Sequence, residues 1–436
     1  MEFFTQGAVE LVLGWEFYVP LLIALFLIVV GVPVWAVLGV TSVTMLHFSG
    51  VLPLSLFGEA LFDGIDAFAL IAVPLFILTG DVLVRTGLSK QLLDVAEALA
   101  GGFRSGFGTA TVLVCGFFAC ISGSDAAGAA GVGRMTIGRL VEQGYPRPYA
   151  CALVAAGACT GILIPPSIAY IIIGLILGIS ASTLFLAAMI PGLLIMLCIM
   201  ITNIIMNRIY RYEGSEGGFS FRRLWEAVYN GRYALLVPFI ILGGIYSGIF
   251  TPTEAAAVAV ITTVIIGLWQ KTITLGGFPK MLASSAKVNG VIVPIIALSL
   301  PLAQTLAALN VPQGFVYGMT SLTDNPTLIL LMMIAILIIA GCVMETTPNI
   351  VILAPIMLPL AEAIGMNEIH FCIVMVTSLG VGFITPPLGL NLFVVSGLTG
   401  TPVLQVAARA VPFVLAMLTI VMVLAFVPAL SLWAIT

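Results

Sequence analysis

The chain has 436 residues, of which 61% are hydrophobic and only 8% charged, with a formal net charge of −4 and a mean hydropathy of +1.23. A soluble domain carries roughly 25% charged residues, so this composition excludes a soluble enzyme or a nucleic-acid binder. The apolar runs are continuous over about 18 residues or more, which predicts membrane-crossing helices and excludes the short alternating segments of a β-barrel.

The first residues, "MEFFTQGAVELVLGWEF", carry Glu2, Glu10 and Glu16 and no cation. A cleaved signal starts with positive charge, so the first span is expected to be retained. Spans are predicted near 17–31, 33–49 and 67–85. "LSKQLLDVAEALAGGF" (88–103) then sets Leu92, Leu93, Ala96 and Leu99 on one face, the pattern of a helix lying in the interface. The stretch 106–141 is apolar but broken in its middle by "ISGSDAAGAAG" (121–131). Spans near 149–178, 182–208, 233–250, 254–270 and 288–309 follow, then a second broken stretch, 328–365, interrupted by "METTPNIV" (344–351). Spans near 370–398 and 402–430 close the chain. Two of the spans carry paired prolines, in "GILIPPSI" and "GFITPPLG". Proline removes a backbone donor and clashes with the preceding turn, at about 3 kcal/mol in a helix interior.

The fifteen Lys and Arg residues fall in few places: 85–104, 134–147, 208–232, 271–287 and Arg409. If the two broken stretches enter and leave on one side, ten crossings put every cation on one face, which the positive-inside rule makes cytoplasmic. Two full crossings would scatter the groups over both sides. The charges therefore predict two re-entrant hairpins, with the densest basic loop (208–232) in the cytoplasm.

From Ser124 to Pro165 and from Glu345 to Pro386 the spacing is the same, 41 residues. "VPLFILTG" (73–80) and "VPFIILGG" (237–244) add a third matching pair. The chain thus reads as one membrane domain, 1–436, made of an inverted repeat (about 51–211 and 232–436). Its hairpins and broken helices (about 106–178 and 328–398) would form a mobile part and the remainder a scaffold. This is the build of a secondary transporter. Broken helices free carbonyls that suit a dehydrated cation and half-helix N-termini that suit a carboxylate.

No P-loop and no nucleophile–base arrangement occurs, so an enzyme is not expected. The seven cysteines are scattered without metal-ligand spacing and read as packing residues. His47 and His370 stand alone and read as helix-end or interfacial residues. Asp81 is expected to pair with Arg85, and Glu254 to lie in the first turn of a helix capped by Thr251 or Thr253. Asp125 and Glu345, at the hairpin tips, either hold a cation or cap their half-helices. Hydroxyls and amides at tips and breaks are the better site candidates: Ser122, Ser124, Thr160, Ser167, Thr346, Thr347, Asn349, Thr385 and Asn391. Of these, Ser124, Ser167, Asn349 and Asn391 are expected to meet the substrate. Each could instead be bonded to its own backbone.

"FFACISGSDAAGAAGVG", "GILIPPSIAYII", "LFLAAMIPGLL", "GGIYSGIFTPTEAAAVAV", "METTPNIVILAPIMLP" and "GFITPPLGLNLFVVSG", in this order, resemble the large membrane subunit of TRAP (tripartite ATP-independent periplasmic) transporters. The resemblance implies an all-α, elevator-type ion-transporter fold in a bacterial inner membrane. It implies a small four-helix membrane subunit and a periplasmic substrate-binding protein as partners, besides membrane lipid. It also implies Na⁺-driven import of an organic acid: a C4-dicarboxylate, sialic acid or another sugar acid. Na⁺ would be the coupling ion, with no organic cofactor and no transition metal. Carried over, the sodium sites would involve Ser122, Gly123, Ser124, Thr160, Gly161 and Pro165, with Asp125 beside them, and Thr346, Thr347, Gly382, Thr385 and Pro386. The sequence departs from the family pattern at Gly128, where an acid or hydroxyl is usual, and at Ser378 and Gly380, where Asn and Glu are. The alternative is a self-sufficient Na⁺- or H⁺-coupled carboxylate transporter of related fold. An ion channel or a structural subunit fits the two broken helices less well.

Overall fold

The computed structural model describes residues 14–101, 105–214 and 220–435. Glu2, Glu10 and Arg104 lie outside them. Among the described residues every regular element is helical. Each of the ten predicted spans has a counterpart: Trp15–Val30, Val34–Ser49, Phe68–Arg85, the bent pair Arg147–Leu163 and Ile168–Leu177, Ala181–Tyr210, Arg232–Tyr246, Pro252–Trp269, Phe278–Ala308, the broken pair Glu368–Gly382 and Leu390–Thr399, and Val403–Phe426. The helix Phe278–Ala308 starts ten residues before the predicted span, because Lys280, Ser284, Ser285 and Lys287 hide its apolar face. At 1.5 Å per residue its 31 residues reach about 46 Å, well beyond a hydrocarbon core of about 30 Å.

Both broken stretches are helical hairpins. The first pairs Gly106–Ser122 with Asp125–Glu142 and the second pairs Pro326–Val343 with Thr346–Ala363. The first helix ends on Gly123 at φ 61°, whose N–H bonds Ala119 O, and Ser124 caps the next by accepting the Ala127 N–H at 3.4 Å. The second turn passes through extended Met344 and Glu345, and Glu345 makes no side-chain cap bond.

Four amphipathic helices flank this core. Leu88–Ala100 packs on Gly106–Ser122, and Val311–Leu322 packs on Thr346–Ala363, so each hairpin has its own arm. Leu92, Leu93 and Ala96 of the first arm are buried as expected, whereas Leu99 is 39% exposed. Phe221–Asn230 meets Arg232–Tyr246 at 73° and packs on the first arm, and Ser55–Ile65 packs on Phe278–Ala308.

The scaffold helices cross over between the halves. Trp15–Val30 and Val34–Ser49 pack together, and Val34–Ser49 also packs on Phe278–Ala308. Arg232–Tyr246 and Pro252–Trp269 pack together, and Pro252–Trp269 also packs on the helix containing Ala72–Arg85. By this order the counterpart of "VPLFILTG" (73–80) is "VPIIALSL" (293–300), and that of "VPFIILGG" (237–244) is "VPLLIALF" (19–26). The sequence pairing of 73–80 with 237–244 therefore joins non-equivalent helices. All four octets or their neighbours place a proline inside a long apolar helix, which is why they look alike.

Local expectations are met where the partners are close in sequence. Arg85 Nε bonds Asp81 at 3.0 Å. Thr251 and Glu254 form a reciprocal capping box. Six of the seven cysteines are buried, and Cys198 is partly so. His370 lies in the first turn of Glu368–Gly382, a helix end as expected, and is buried there with Nδ1 2.5 Å from Ser431 Oγ.

Candidate functional site

Each hairpin tip is tied to the break in the helix that follows it. At the first, the Ile168 N–H donates to Gly123 O at 3.1 Å. A methyl group on Gly161 would lie 2.6 Å from Ser124 O and 2.7 Å from Asp125 N, so the break rests on the tip backbone. At the second, the Leu388 and Gly389 N–H groups donate to Cys342 O at 3.1 and 3.3 Å. A methyl on Gly382 would lie 2.6 Å from Gly341 backbone atoms. Gly161 and Gly382 share the same separation in sequence as Ser124 and Glu345. Pro165–Pro166 and Pro386–Pro387 are both cis.

The two tips meet. A small cavity of about 20 Å³ is lined by Gly123, Ser124 and Asp125 from the first tip, by Glu345, Thr346 and Thr347 from the second, and by Ile162 and Ile168 on either side of the first break. About 10–15 Å³ suffices for one water-sized species. Asp125 is 3% exposed and its Oδ2 has no protein hydrogen-bond partner; Thr346 Oγ1 is likewise buried and unpartnered. Ser124 is the N-cap, and the Asp125 carboxyl also meets the Asp125 and Ala126 N–H groups of the first turn, which leaves Oδ2 for another partner. Buried polar atoms are nearly always paired, and two carboxylates facing one enclosed space repel unless a cation or proton lies between them. The described residues lining this space include no Lys or Arg. The oxygen-rich donor set fits a hard cation without transition-metal character.

The remaining candidates divide. Ser122 is buried, 3.5 Å from Ser124 O, and lines a larger adjoining cavity of about 360 Å³. Thr160 donates to Gly157 O at 2.6 Å and Ser167 to Ile162 O at 2.8 Å, so both hydroxyls are held by the backbone of the first break. Thr385 donates to Val381 O at 2.8 Å. Gly382 rests on the Gly341 backbone of the second hairpin, and none of Gly382, Thr385 and Pro386 lines the small cavity. Asn349 donates to Ala340 O and Met344 O, which stitches its own hairpin together. Asn391 reaches the first broken helix, donating to Ala155 O and Cys159 Sγ at 3.4 Å. Of the four proposed substrate residues, only Ser124 lines the larger cavity. Ser378 is held by Val374 O at 2.7 Å.

Two features escape a reading by motif. Glu213, three residues after Tyr210, accepts the Phe107 N–H at 2.8 Å, the Gly108 N–H at 3.3 Å and the Tyr145 hydroxyl at 2.8 Å. It caps the first hairpin from a distant loop. Arg134, ten residues after Ser124, lines the larger cavity with no ion-pair partner among the described residues. Glu213 is one of three acids in the basic loop, with Glu216 and Glu226, so nothing in the sequence singled it out.

Residues 21–430 match the family described as "Tripartite ATP-independent periplasmic transporter, DctM component". The chain belongs to this family. It is 37% identical over 85% of its length, and 87% of the relative's, to the C4-dicarboxylate TRAP transporter large permease protein of Pseudomonas aeruginosa. It is 29% identical to the sialic acid TRAP transporter large permease protein of Vibrio cholerae, over 93% and 95% of the two chains. The isethionate TRAP transporter permease of Oleidesulfovibrio alaskensis is 36% identical over 94% of this chain, which spans 65% of that relative's length. Among solved structures, the YdaH transporter of Alcanivorax borkumensis shares the fold, with a TM-score of 0.59 at 14% identity over 94% and 98% of the chains. As a large TRAP permease the protein is a multi-pass membrane transport component, not an enzyme. The TRAP family also implies two partners, a small membrane subunit and a periplasmic binding protein.

Proposed function

We propose that this protein is the substrate-translocating subunit of a Na⁺-coupled importer for a small organic acid. The observation that carries the reading is the meeting of both hairpin tips around Asp125 Oδ2 and Thr346 Oγ1, buried and without protein partners. Na⁺ is the coupling cargo here. Asp125, Glu345 and the backbone around Ser124 supply hard oxygen ligands, and the cation offsets the cost of burying carboxylates. A carboxylated substrate then adds its negative charge next to a bound cation, which links the two.

The hairpins and broken helices, tied together at Gly123–Ile168 and Cys342–Leu388, move as one body in an elevator step. The scaffold stays with the small membrane subunit. The periplasmic binding protein delivers the acid, and the basic loop 208–232 faces the cytoplasm. The relatives suggest the substrate range: a C4-dicarboxylate for one, sialic acid for another, isethionate for a third.

The test is uptake into proteoliposomes holding this protein and its small subunit, with candidate binding proteins and radiolabelled acids. Uptake is expected only with an inward Na⁺ gradient and a cognate binding protein. A proton gradient that drives uptake in Na⁺-free buffer would overturn the Na⁺ assignment. Full-rate uptake with no binding protein would overturn the tripartite one.

A further inference from the structure

The larger cavity of about 360 Å³ adjoins the tips and shares Ser124, Ile168, Ile292 and Glu345 with the small one. Its size falls within the roughly 300–1,000 Å³ of small-molecule sites. One wall is a single face of the helix Asp125–Glu142. Ala126, Ala130 and Arg134 follow one another at helical spacing, with Ala127 and Gly131 beside them. Small side chains there leave the space open. The facing walls come from the scaffold, Asp81 from the helix ending at Arg85 and Ser285 from Phe278–Ala308.

The charges in this cavity are sorted along its length. Glu345 lies at the tips. Asp81 is neutralised by Arg85 at 3.0 Å. Arg139, from the same helix as Arg134, is committed to Glu97. Arg134 is exposed and has no hydrogen bond or ion pair among the described residues. It stands ten residues, about 15 Å, along the helix from Ser124. A negative end that suits a cation and a positive end that suits an anion therefore share one cavity.

The hydroxyl of Ser285 adds a second observation. Ser285 is 4% exposed and its Oγ has no partner. Hydroxyls inside apolar helices usually bond the carbonyl four residues back, as Thr79 and Thr263 do here. Ser285 does not, and it lines the cavity as a free donor. The repeat also breaks symmetry at this point: the residue ten positions after Glu345 is Pro355, so only the first hairpin carries such a cation.

Building on the transport reading above, we propose that this cavity binds the oxyanion of the organic acid, with the Arg134 guanidinium as its counter-charge and Ser285 as a donor from the scaffold. A guanidinium offers two parallel N–H bonds to a carboxylate or sulfonate. The ligand thus touches the hairpin on one side and the scaffold on the other. It is held by both only while the first hairpin stands at this level. Displacing the hairpin separates Arg134 from Ser285 and weakens the grip.

The experiment starts with Na⁺-driven uptake of succinate, sialic acid, 2,3-diketogulonate and isethionate by the wild-type protein in the complete transporter. The acid taken up best becomes the probe for equilibrium binding to purified wild type, Arg134→Gln, Arg134→Lys, Ser285→Ala and Gly131→Leu, in saturating Na⁺. Arg134→Gln is expected to raise Kd tenfold or more, Arg134→Lys to restore part of that loss, and Ser285→Ala to raise Kd a few-fold. Gly131→Leu, which adds bulk at a cavity-lining position where the new Cβ would meet Phe118 at 3.3 Å and Val84 at 3.7 Å and which removes no charge, should also weaken binding at least tenfold. Melting curves of each variant show that it is folded; Arg134 has no described partner to lose. Wild-type Kd in both Arg134→Gln and Gly131→Leu would overturn the proposal while leaving the transport reading intact. If the wild type takes up none of the four acids, the transport reading fails and the proposal falls with it.

Discussion

Adding one methyl group at Gly161 tests whether the contact between tip and break builds the site. The new Cβ would sit 2.6 Å from Ser124 O, 2.7 Å from Asp125 N and 2.7 Å from Ser124 C. Ordinary contact begins near 3.4 Å, so the first break must retreat from the tip by about 0.8 Å. All three atoms are backbone, and no flexible side chain can yield instead. Overpacking of this kind costs about 1–3 kcal/mol of stability. The functional effect should be larger, because a displacement near 1 Å at a positioned site can cost about a hundredfold in rate. Gly161→Ala should therefore melt only modestly below wild type yet lose most Na⁺-dependent uptake. Gly138→Ala is the control, since nothing lies within 4 Å of its Cβ. It should keep full uptake and gain up to about 1 kcal/mol from improved helix propensity. Wild-type uptake and an unmoved Na⁺ half-saturation in Gly161→Ala would refute the claim that the apposed backbones set the ion site.

Asp125→Asn should raise the Na⁺ concentration for half-maximal uptake at least tenfold, at unchanged yield; since Ser124 already caps the helix, an unmoved half-saturation would remove Asp125 from the ion site. Glu213→Ala strips a buried acceptor from three donors and should destabilise by roughly 2–3 kcal/mol, seen as a lower melting temperature in detergent; an unchanged melt would show that the first hairpin does not need this cap. Single cysteines at Leu224 should react with an impermeant thiol reagent from the cytoplasm only, and those at Asp324 or Met366 from the periplasm only; labelling of position 224 from outside would reverse the orientation.

What could be read from the sequence was local or periodic. The hairpins and breaks stand out because Gly, Pro, Ser and acids are costly in an apolar helix, and their equal spacing survives in both halves. Asp81–Arg85 and Thr251–Glu254 were legible because both partners lie within one helical turn. The meeting of Ser124 and Asp125 with Thr346 and Thr347 followed from the repeat, since two inverted hairpins must place their tips at a common level. What stayed hidden depends on partners far apart in the chain. Glu213 caps a helix more than one hundred residues before it. The crossing of the scaffold pairs leaves no trace in hydropathy, because a proline-bearing apolar helix looks the same whichever half it covers.

The amide and hydroxyl candidates expose a different limit. Ser167, Asn349 and Asn391 sit where a substrate residue could sit, but their donors are satisfied by Ile162 O, by Ala340 O and Met344 O, and by Ala155 O and Cys159 Sγ. A broken helix strands carbonyls that must find donors within the protein, and the nearest polar side chains supply them. Residue type and place therefore nominate two roles at once: the group that repairs a break and the group that meets a ligand. The hydrogen-bond account separates them only when read together with the cavity linings. The amide oxygens of Asn349 and Asn391 are buried without protein partners, as are Asp125 Oδ2, Thr346 Oγ1 and Ser285 Oγ, but only the last three belong to residues that line the two cavities. On the reading proposed above, these three mark a route from a cation at the tips to an anion beside Arg134.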